Sequence, residues 1–349
     1  MLKRIALVAL AIVIVAVGAA AVVLVSAHLA VRREAAPLPA LDAIDAVANV
    51  GTIIADAPRR LSVINTASQA MPRAAVLASD RDPHPAQPFV RSYPSFVLEW
   101  GDGRLLLIDT GMTRDGARRF GQPIEWLGGG DAIQPHGSAA EVLGDAAARV
   151  KGIVFTHLHV DHVGGITDLC QRLNSVRVPM TEPQASHLNY TTQPGLDLLH
   201  DADCVHLEQV SGGPLFPVSG FPGVFLIDAG GHTPGSQIVI AFVEDDGGLH
   251  RYAFTGDIVN NIDGITYDVP KPLLYRTLVV PESEARQTEL RAYLKRLHDE
   301  GGFTLLVSHD QGAIESAGAL QAGTPADSIA PRSCETSSVN PPSSCSRLR

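Results

Sequence analysis

The chain contains little cysteine and fewer positive than negative charges. These two shortages argue against a cysteine-based zinc site and against nucleic acid binding. It has 4 cysteines in 349 residues and no Cys-X-X-Cys pair, which excludes a zinc finger built on cysteine. We expect Cys170 and Cys204 to be unpaired thiols, whereas Cys334 and Cys345 could form a disulfide in an oxidising compartment. The formal net charge is -10, and so acidic a chain lacks the basic surface that holds nucleic acid phosphates. We therefore expect no nucleic acid partner.

A long apolar stretch lies at the N-terminus. Residues 5–31 include only Ser26 and His28 as polar residues, and basic residues flank the stretch on both sides. About 20 helical residues cross a bilayer core of roughly 30 Å, whereas the apolar part of a signal peptide has only about 7–15 residues. The sequence therefore predicts a single-pass anchor over residues 1–34 in a bacterial-type inner membrane. Secretion after signal cleavage is the alternative, and the basic N-terminus favours a periplasmic or extracellular position for the remaining chain.

The composition divides the rest of the chain into three segments. Residues 35–89 are predicted to be a linker leading into the domain, with a proline-rich loop at 80–88. Residues 90–323 are predicted to form the functional domain. Residues 324–349 are rich in serine and proline and are predicted to be disordered.

Strand and helix patterns alternate along the domain. Residues 95–111 show two apolar runs around Gly-Asp-Gly, a pattern typical of a hairpin. Residues 282–302 have helical periodicity. Four further apolar runs each lead into a cluster of polar residues, at 150–157, 224–232, 251–257 and 303–309. Mixed strands and helices over this length predict an α/β sandwich.

The polar clusters after these strands contain residue types that bind metals well. Rigid strand ends can bring such side chains together at one edge of a sheet. The seven candidate ligands are His157, His159, Asp161, His162, His232, Asp257 and His309.

Seven candidate ligands are more than one small ion can use. A closed zinc site holds about four ligands, and a catalytic site leaves one position for water. Imidazole and carboxylate without thiolate suit two divalent ions, with zinc expected and iron or manganese as alternatives. The predicted division is His157, His159 and His232 for one ion, Asp161, His162 and His309 for the other, with Asp257 shared.

In these motifs the sequence resembles the metallo-β-lactamase superfamily. The stretch "HLHVDH" at 157–162 resembles the HxHxDH motif of that family, and "GHTPGS", "TGD" and "SHD" follow in the family's order. "LLIDTG" at 106–111 resembles an early strand of the family, with Asp109 expected to hold an imidazole ligand in place. The similarity covers about residues 90–312. It implies a four-layer αββα sandwich and a dinuclear metallohydrolase.

Departures from particular branches narrow the activity that the resemblance implies. True β-lactamases of the superfamily lack a bridging aspartate at the position of Asp257, and flavodiiron relatives have glutamate in place of His159. Glyoxalase II-like thioesterases, lactonases and phosphodiesterases remain. Known lactonases have a tyrosine three residues after the bridging aspartate, where this chain has Asn260.

The predicted function is hydrolysis of a small-molecule lactone, ester or thioester by a hydroxide bridging two ions. Asp161 and Asp257 are the predicted catalytic residues, with Asp161 orienting the nucleophile and Asp257 setting the separation of the ions. A phosphodiesterase and a non-catalytic metal-binding protein are the alternatives. Residues 268–280, including Tyr275, could form an apolar wall of the substrate pocket or pack in the core.

Overall fold

The computed structural model describes residues 2–33, 36–51, 55–318 and 320–321. The predicted disordered tail and the candidate Cys334–Cys345 pair lie outside these residues. The helices are α1 (Leu2–Val31), α2 (Leu41–Ala48), α3 (Arg114–Trp126), α4 (Ala139–Leu143), α5 (Val160–Val163), α6 (Ile166–Cys170), α7 (Glu182–Ser186), α8 (Gln193–His200), α9 (Asp263–Thr266), α10 (Glu284–Asp299) and α11 (Gln311–Ser316). Short 3-10 turns span Arg73–Ala75 and Gly144–Arg149, and a π-helical turn spans Tyr275–Val279.

The strands form two sheets. They are β1 (Arg60–Met71), β2 (Phe89–Glu99), β3 (Leu105–Ile108), β4 (Gln134–Pro135), β5 (Val150–Val154), β6 (Val176–Met180), β7 (Val205–Gln209), β8 (Phe216–Pro217), β9 (Val224–Asp228), β10 (Gln237–Asp245), β11 (Gly248–Gly256), β12 (Thr304–Val307) and β13 (Leu320–Gln321). The larger sheet has the order β13-β1-β2-β3-β5-β6-β7, with β4 beside β1, and the smaller sheet has the order β12-β11-β10-β9-β8.

Alternating residues along the strands build a four-layer sandwich. In β3, Leu105 and Leu107 face a core shared with the helices on one side, whereas Leu106 and Ile108 pack against the smaller sheet. The other face of the smaller sheet is covered by α2 and α10. Burying each such leucine stabilises the fold by about 1.5–3 kcal/mol. The αββα architecture is therefore confirmed.

The elements predicted around the site are also confirmed. β2 and β3 form the antiparallel hairpin, with Phe96 opposite Ile108 and Gly103 in the turn at φ 86°. The four strands that precede polar clusters are β5, β9, β11 and β12. The predicted helix at 282–302 is α10.

The direction of the strands brings the polar clusters to one edge. β9 and β11 both run antiparallel to β10, and β12 runs parallel to β11, so these three strands end on the same side. Thr156, just after β5, accepts a 2.7 Å hydrogen bond from the backbone N–H of Gln237 at the start of β10. This bond joins the edges of the two sheets beside the candidate site.

The segment before residue 90 is part of the folded domain and not only a linker. β1 pairs with β2 along Arg60–Met71, and Ile44 and Ala48 of α2 are buried in the core beneath the smaller sheet. β1 contains buried polar residues such as Thr66 and Gln69, so it lacks the apolar alternation that predicts a strand. The proposed domain boundary at residue 90 stays a prediction.

The two tryptophan residues have different environments. Trp100 is buried with its ring centroid 5.3 Å from that of Phe221. Trp126 is 74% exposed at the end of α3.

Helix α1 is long and apolar enough to cross a membrane, with a mean hydropathy of 3.1 over its most apolar window. It is a candidate anchor or signal sequence. Its last turns are attached to the domain: Ala27 and Val31 are buried, and Arg33 pairs with Asp228.

The prediction that Cys170 and Cys204 are unpaired was wrong, because they form a disulfide. The bond joins the end of α6 to the residue before β7 across a sequence separation of 34. Only the packing of α6 against the sheet brings the two thiols together, and no local sequence signal reveals that contact.

Replacing both cysteines, as Cys170→Ser with Cys204→Ser, should lower the free energy of unfolding by about 2–4 kcal/mol, because the unfolded chain loses a closed loop. Denaturant unfolding of both proteins with and without reductant would measure this. Reductant should destabilise the wild type and leave the double variant unchanged. Equal unfolding curves for wild type and variant would contradict the prediction.

Candidate metal centre

The structure brings all seven candidate ligands into one buried cluster at the shared edge of the sheets. Short loops after four strands position them. Gly256, at the end of β11, adopts φ 52° and lies against Thr156, where an added Cβ would approach the threonine Cβ to 2.8 Å. Glycine is therefore needed for Asp257 to turn into the cluster.

The first group comprises His157, His159, His232 and Asp257. The His159 Nδ1 atom lies 3.0 Å from His157 Nε2 and 3.3 Å from His232 Nε2. Asp257 Oδ2 lies 3.7 Å from His232 Nε2 and 4.0 Å from His157 Nε2. Ligand atoms at about 2.0–2.2 Å from a tetrahedral zinc ion stand roughly 3.3 Å apart. These residues fit one such ion.

The second group comprises Asp161, His162 and His309. Asp161 Oδ2 lies 3.4 Å from His309 Nε2 and 3.9 Å from His162 Nε2. Asp257 also faces this group, with Oδ1 at 3.3 Å from His162 Nε2 and Oδ2 at 3.0 Å from His309 Nε2. Its two oxygens thus lie between the groups, in the arrangement expected of a shared ligand.

Each imidazole holds a polar partner on the nitrogen that points away from the cluster. These pairs are His157 with Thr156, His159 with Thr191, His162 with Asp109, His232 with Glu282 and His309 with the backbone carbonyl of Ser92. Such partners fix the tautomer and leave a lone pair on the inward nitrogen for a metal ion. The expected role of Asp109 is consistent with its 2.8 Å contact to His162 Nδ1.

Two inward atoms have no hydrogen-bond partner among the described residues, namely His162 Nε2 and Asp257 Oδ1. They face each other at 3.3 Å. Leaving buried polar atoms unpaired costs about 1–3 kcal/mol each, and a cation between them would remove that cost. The second group therefore also has donors suited to a metal ion.

The electrostatics of the first group favour neutral imidazoles. Burial lowers the pKa of His157 and His232 well below the usual value, and it lowers the pKa of His159 to about 4. At neutral pH these rings carry no charge, so their inward lone pairs are available to a metal ion.

The second group instead attracts positive charge. Burial lowers the pKa of His162, but the carboxylates of Asp109, Asp257 and Asp161 outweigh it and hold that pKa well above its usual value. Burial raises the pKa of Asp257, but His309 and His162 outweigh it and keep the carboxyl ionised. A cation in this group, whether a proton or a metal ion, offsets buried negative charge.

Sequence reasoning missed Lys271 and Glu282, which lie behind the first group. Lys271 Nζ donates to Glu282 Oε1 at 2.6 Å and to the backbone carbonyl of Asp257, while Glu282 Oε1 lies 2.5 Å from His232 Nδ1. Burial raises the pKa of Glu282 to about 7, against the opposing effect of Lys271. Both residues are close to prolines in an irregular segment, where no motif marks them.

Sequence reasoning also missed Arg91, whose guanidinium enters the second group. Its Nη2 donates to His309 Nε2 at 2.7 Å and lies 3.4 Å from Asp161 Oδ2. The guanidinium also lies over the rings of Tyr93 and Phe120. Since His309 Nδ1 bonds Ser92, Nε2 offers a single lone pair, which cannot accept both Arg91 and a metal ion. Arg91 and a second ion therefore compete for His309.

Two residues near the cluster bear on substrate binding. Asn260, where known lactonases have tyrosine, is buried. Tyr275 is partly exposed, and its ring centroid lies 5.5 Å from Lys271 Nζ. Burial raises the pKa of the Tyr275 hydroxyl well above its usual value, so the hydroxyl remains a hydrogen-bond donor.

Comparisons with known proteins identify the family of the chain. The sequence model of the metallo-beta-lactamase superfamily matches residues 89–309. No curated protein matches the chain.

Several solved structures share the fold. A variant of Bacillus thuringiensis AiiA with N-decanoyl-L-homoserine bound at its active site superimposes with a TM-score of 0.53 at 17% identity, covering 74% of this chain and 96% of that chain. A quorum-quenching N-acyl homoserine lactone lactonase gives a TM-score of 0.52 at 16% identity, covering 74% of this chain and 95% of that chain.

Replacing Arg91 with methionine should strengthen metal binding at the second group by about 10–100-fold, because one charge-assisted hydrogen bond no longer competes for His309. Zinc bound per chain, measured by elemental analysis after dialysis against buffers of set free zinc, would show the shift. Arg177→Met is the matched control, since Arg177 pairs with Glu208 on the outer strands β6 and β7. Identical zinc-binding curves for wild type and Arg91→Met would refute the competition.

Proposed function

Because the chain belongs to the metallo-β-lactamase superfamily, we propose that it is a dinuclear metallohydrolase that cleaves a lactone, ester or thioester. The complete set of seven buried ligands, divided into two groups by Asp257, carries this proposal. Zinc is the expected ion, because imidazole and carboxylate ligands at these separations suit it.

The bound ions would supply a nucleophilic hydroxide at neutral pH and would polarise the oxygen of the attacked carbonyl. The residues supply the geometry. Asp257 sets the spacing of the two groups through its two oxygens. Asp161, whose pKa is lowered by His162 and His309 although burial opposes this, stays ionised and can accept a hydrogen bond from the attacking water.

Tyr275 is a candidate donor to the carbonyl oxygen of the substrate. By sequence position alone, Asn260 would be the donor to this oxygen, because it stands where known lactonases have tyrosine. The Asn260 side chain is buried, whereas Tyr275 is partly exposed on a segment anchored beside Asp257 by Lys271. A neutral hydroxyl that stabilises developing negative charge lowers the barrier to acyl transfer.

Three observations support a small acyl substrate and a membrane location. The net charge of -10 disfavours nucleic acid, and the AiiA structure of the same fold binds an N-acyl homoserine. The disulfide between Cys170 and Cys204 suits an oxidising compartment such as the periplasm, which agrees with α1 as a membrane anchor.

Asp257→Ala should lower turnover by at least about 100-fold while the protein remains folded. Removing even a hydrogen-bond partner of a metal ligand lowers metal affinity or activity by about 10–100-fold. Proton release by the zinc-loaded full-length protein would measure turnover of an acyl lactone, a thioester and a phosphodiester. Asp299→Ala is the control, since Asp299 pairs with Lys295 on the surface of α10. Full activity in folded Asp257→Ala would exclude the shared-ligand mechanism, and turnover of only the phosphodiester would exclude the acyl substrate class.

Tyr275→Phe should lower kcat by about 100-fold with little change in KM or zinc content. An effect of this order is expected when one hydrogen-bond donor to the developing oxyanion is removed. Tyr293→Phe is the matched control, because the Tyr293 hydroxyl is buried in α10 and has no hydrogen-bond partner among the described residues. Steady-state kinetics on the same lactone would compare them. Equal rates for both variants would remove Tyr275 from the mechanism.

A further inference from the structure

An unusual number of large apolar side chains are exposed in one short segment of the domain. Leu273, Leu274, Leu278 and Val279 are 61%, 70%, 57% and 59% exposed. Packing in the core, one of the two predicted roles for this segment, does not account for side chains so open to solvent. We call these four residues the apolar patch. Exposed apolar patches are typical of surfaces that contact a membrane, another protein or a ligand.

The segment that carries the patch is attached to the end of α1. His28 Nε2 lies 3.0 Å from the backbone carbonyl oxygen of Thr277, within the patch segment. Arg33 fixes the end of α1 to another part of the domain, because it donates to the Pro234 carbonyl at 2.6 Å and pairs with Asp228. The position of α1 in a membrane therefore sets the position of the patch.

The exposed length of α1 places the patch at the surface of a bilayer. Residues 5–25, which follow the basic Lys3 and Arg4, are exposed apart from the half-buried Leu24, and at about 1.5 Å per residue they span roughly the 30 Å of a hydrocarbon core. His28 then lies about 5 Å beyond that core, within the polar layer that adds about 5–8 Å on each side. The residues that His28 contacts lie at the same depth.

The same segment also reaches the metal centre. Lys271, two residues before the patch, donates to Glu282 and to the carbonyl of Asp257. Tyr275, the proposed carbonyl donor, lies in sequence between Leu274 and Leu278. The side of the site formed by this segment is thus the side nearest the lipid.

We propose that the apolar patch inserts into the lipid interface and that the metal centre takes its substrate from the bilayer surface. The substrate is then an amphiphile whose ester or lactone group reaches the metal centre while its long acyl chain stays in contact with lipid and the patch. This inference rests on the proposed hydrolase function and on α1 as an anchor.

The insertion can be tested without any enzyme activity. Leu274→Trp in the full-length protein, reconstituted into phosphatidylcholine vesicles, should gain tryptophan emission that brominated phospholipids quench. Leu127→Trp is the matched control, because Leu127 is 87% exposed at the end of α3. Stronger quenching at position 274 supports insertion. Equal quenching at both positions overturns it.

The uptake of substrate from lipid is tested with lactones whose acyl chains differ in length. A double variant, Leu274→Gln with Leu278→Gln, should lose about tenfold or more in kcat/KM on a dodecanoyl lactone in vesicles. The same variant should lose far less activity on the water-soluble butanoyl lactone, whose short chain does not need contact with lipid, and Leu127→Gln should match the wild type on both. Equal losses on both lactones, or no loss on either, would overturn lipid intake.

The two experiments separate failure of the inference from failure of the proposed function. Wild-type protein that hydrolyses neither lactone overturns the proposed lactone chemistry and with it the intake of such substrates, whereas the quenching result still decides whether the patch inserts. Hydrolysis of both lactones without quenching at position 274 overturns the inference alone.

Discussion

The structure depends on an excess of buried negative charge at the edge where the two sheets meet. Asp109, Asp161 and Asp257 are buried together, and the Arg91 guanidinium reaches Asp161 and Asp257. Buried carboxylates are tolerated only with positive charge beside them. The same carboxylates raise the pKa of His162 and form part of a donor set that suits divalent ions. The site is thus organised around cations.

Strands from both sheets hold this charged cluster in place. The first four candidate ligands follow β5 of the larger sheet, and the other three follow β9, β11 and β12 of the smaller sheet. The apolar core between the sheets, including Leu106 and Phe254, fixes their relative position. Because each group draws on both sheets, a shift of one sheet would separate the ligands of both groups at once.

Arg91 and the apolar patch suggest how the site differs from a simple soluble hydrolase. Arg91 donates to the lone pair of a candidate ligand, so loading of the second group depends on displacing a residue of the chain itself. The patch and α1 are joined through Thr277, and the same segment reaches Asp257 through Lys271. The proposed membrane contact, substrate access and metal loading therefore all depend on neighbouring residues.

The sequence by itself determined the features that depend on local pattern. The HxHxDH stretch, the later His232, Asp257 and His309, the apolar length of α1 and the β2–β3 hairpin could all be predicted, because spacing and periodicity express them directly. Only the tertiary structure decided the features that join distant parts of the chain. Arg91, Lys271 and Glu282 lie in segments without a motif, and the Cys170–Cys204 bond closes a separation of 34 residues. The patch leucines look like core residues in sequence, since apolar composition alone does not distinguish a buried side chain from an exposed one.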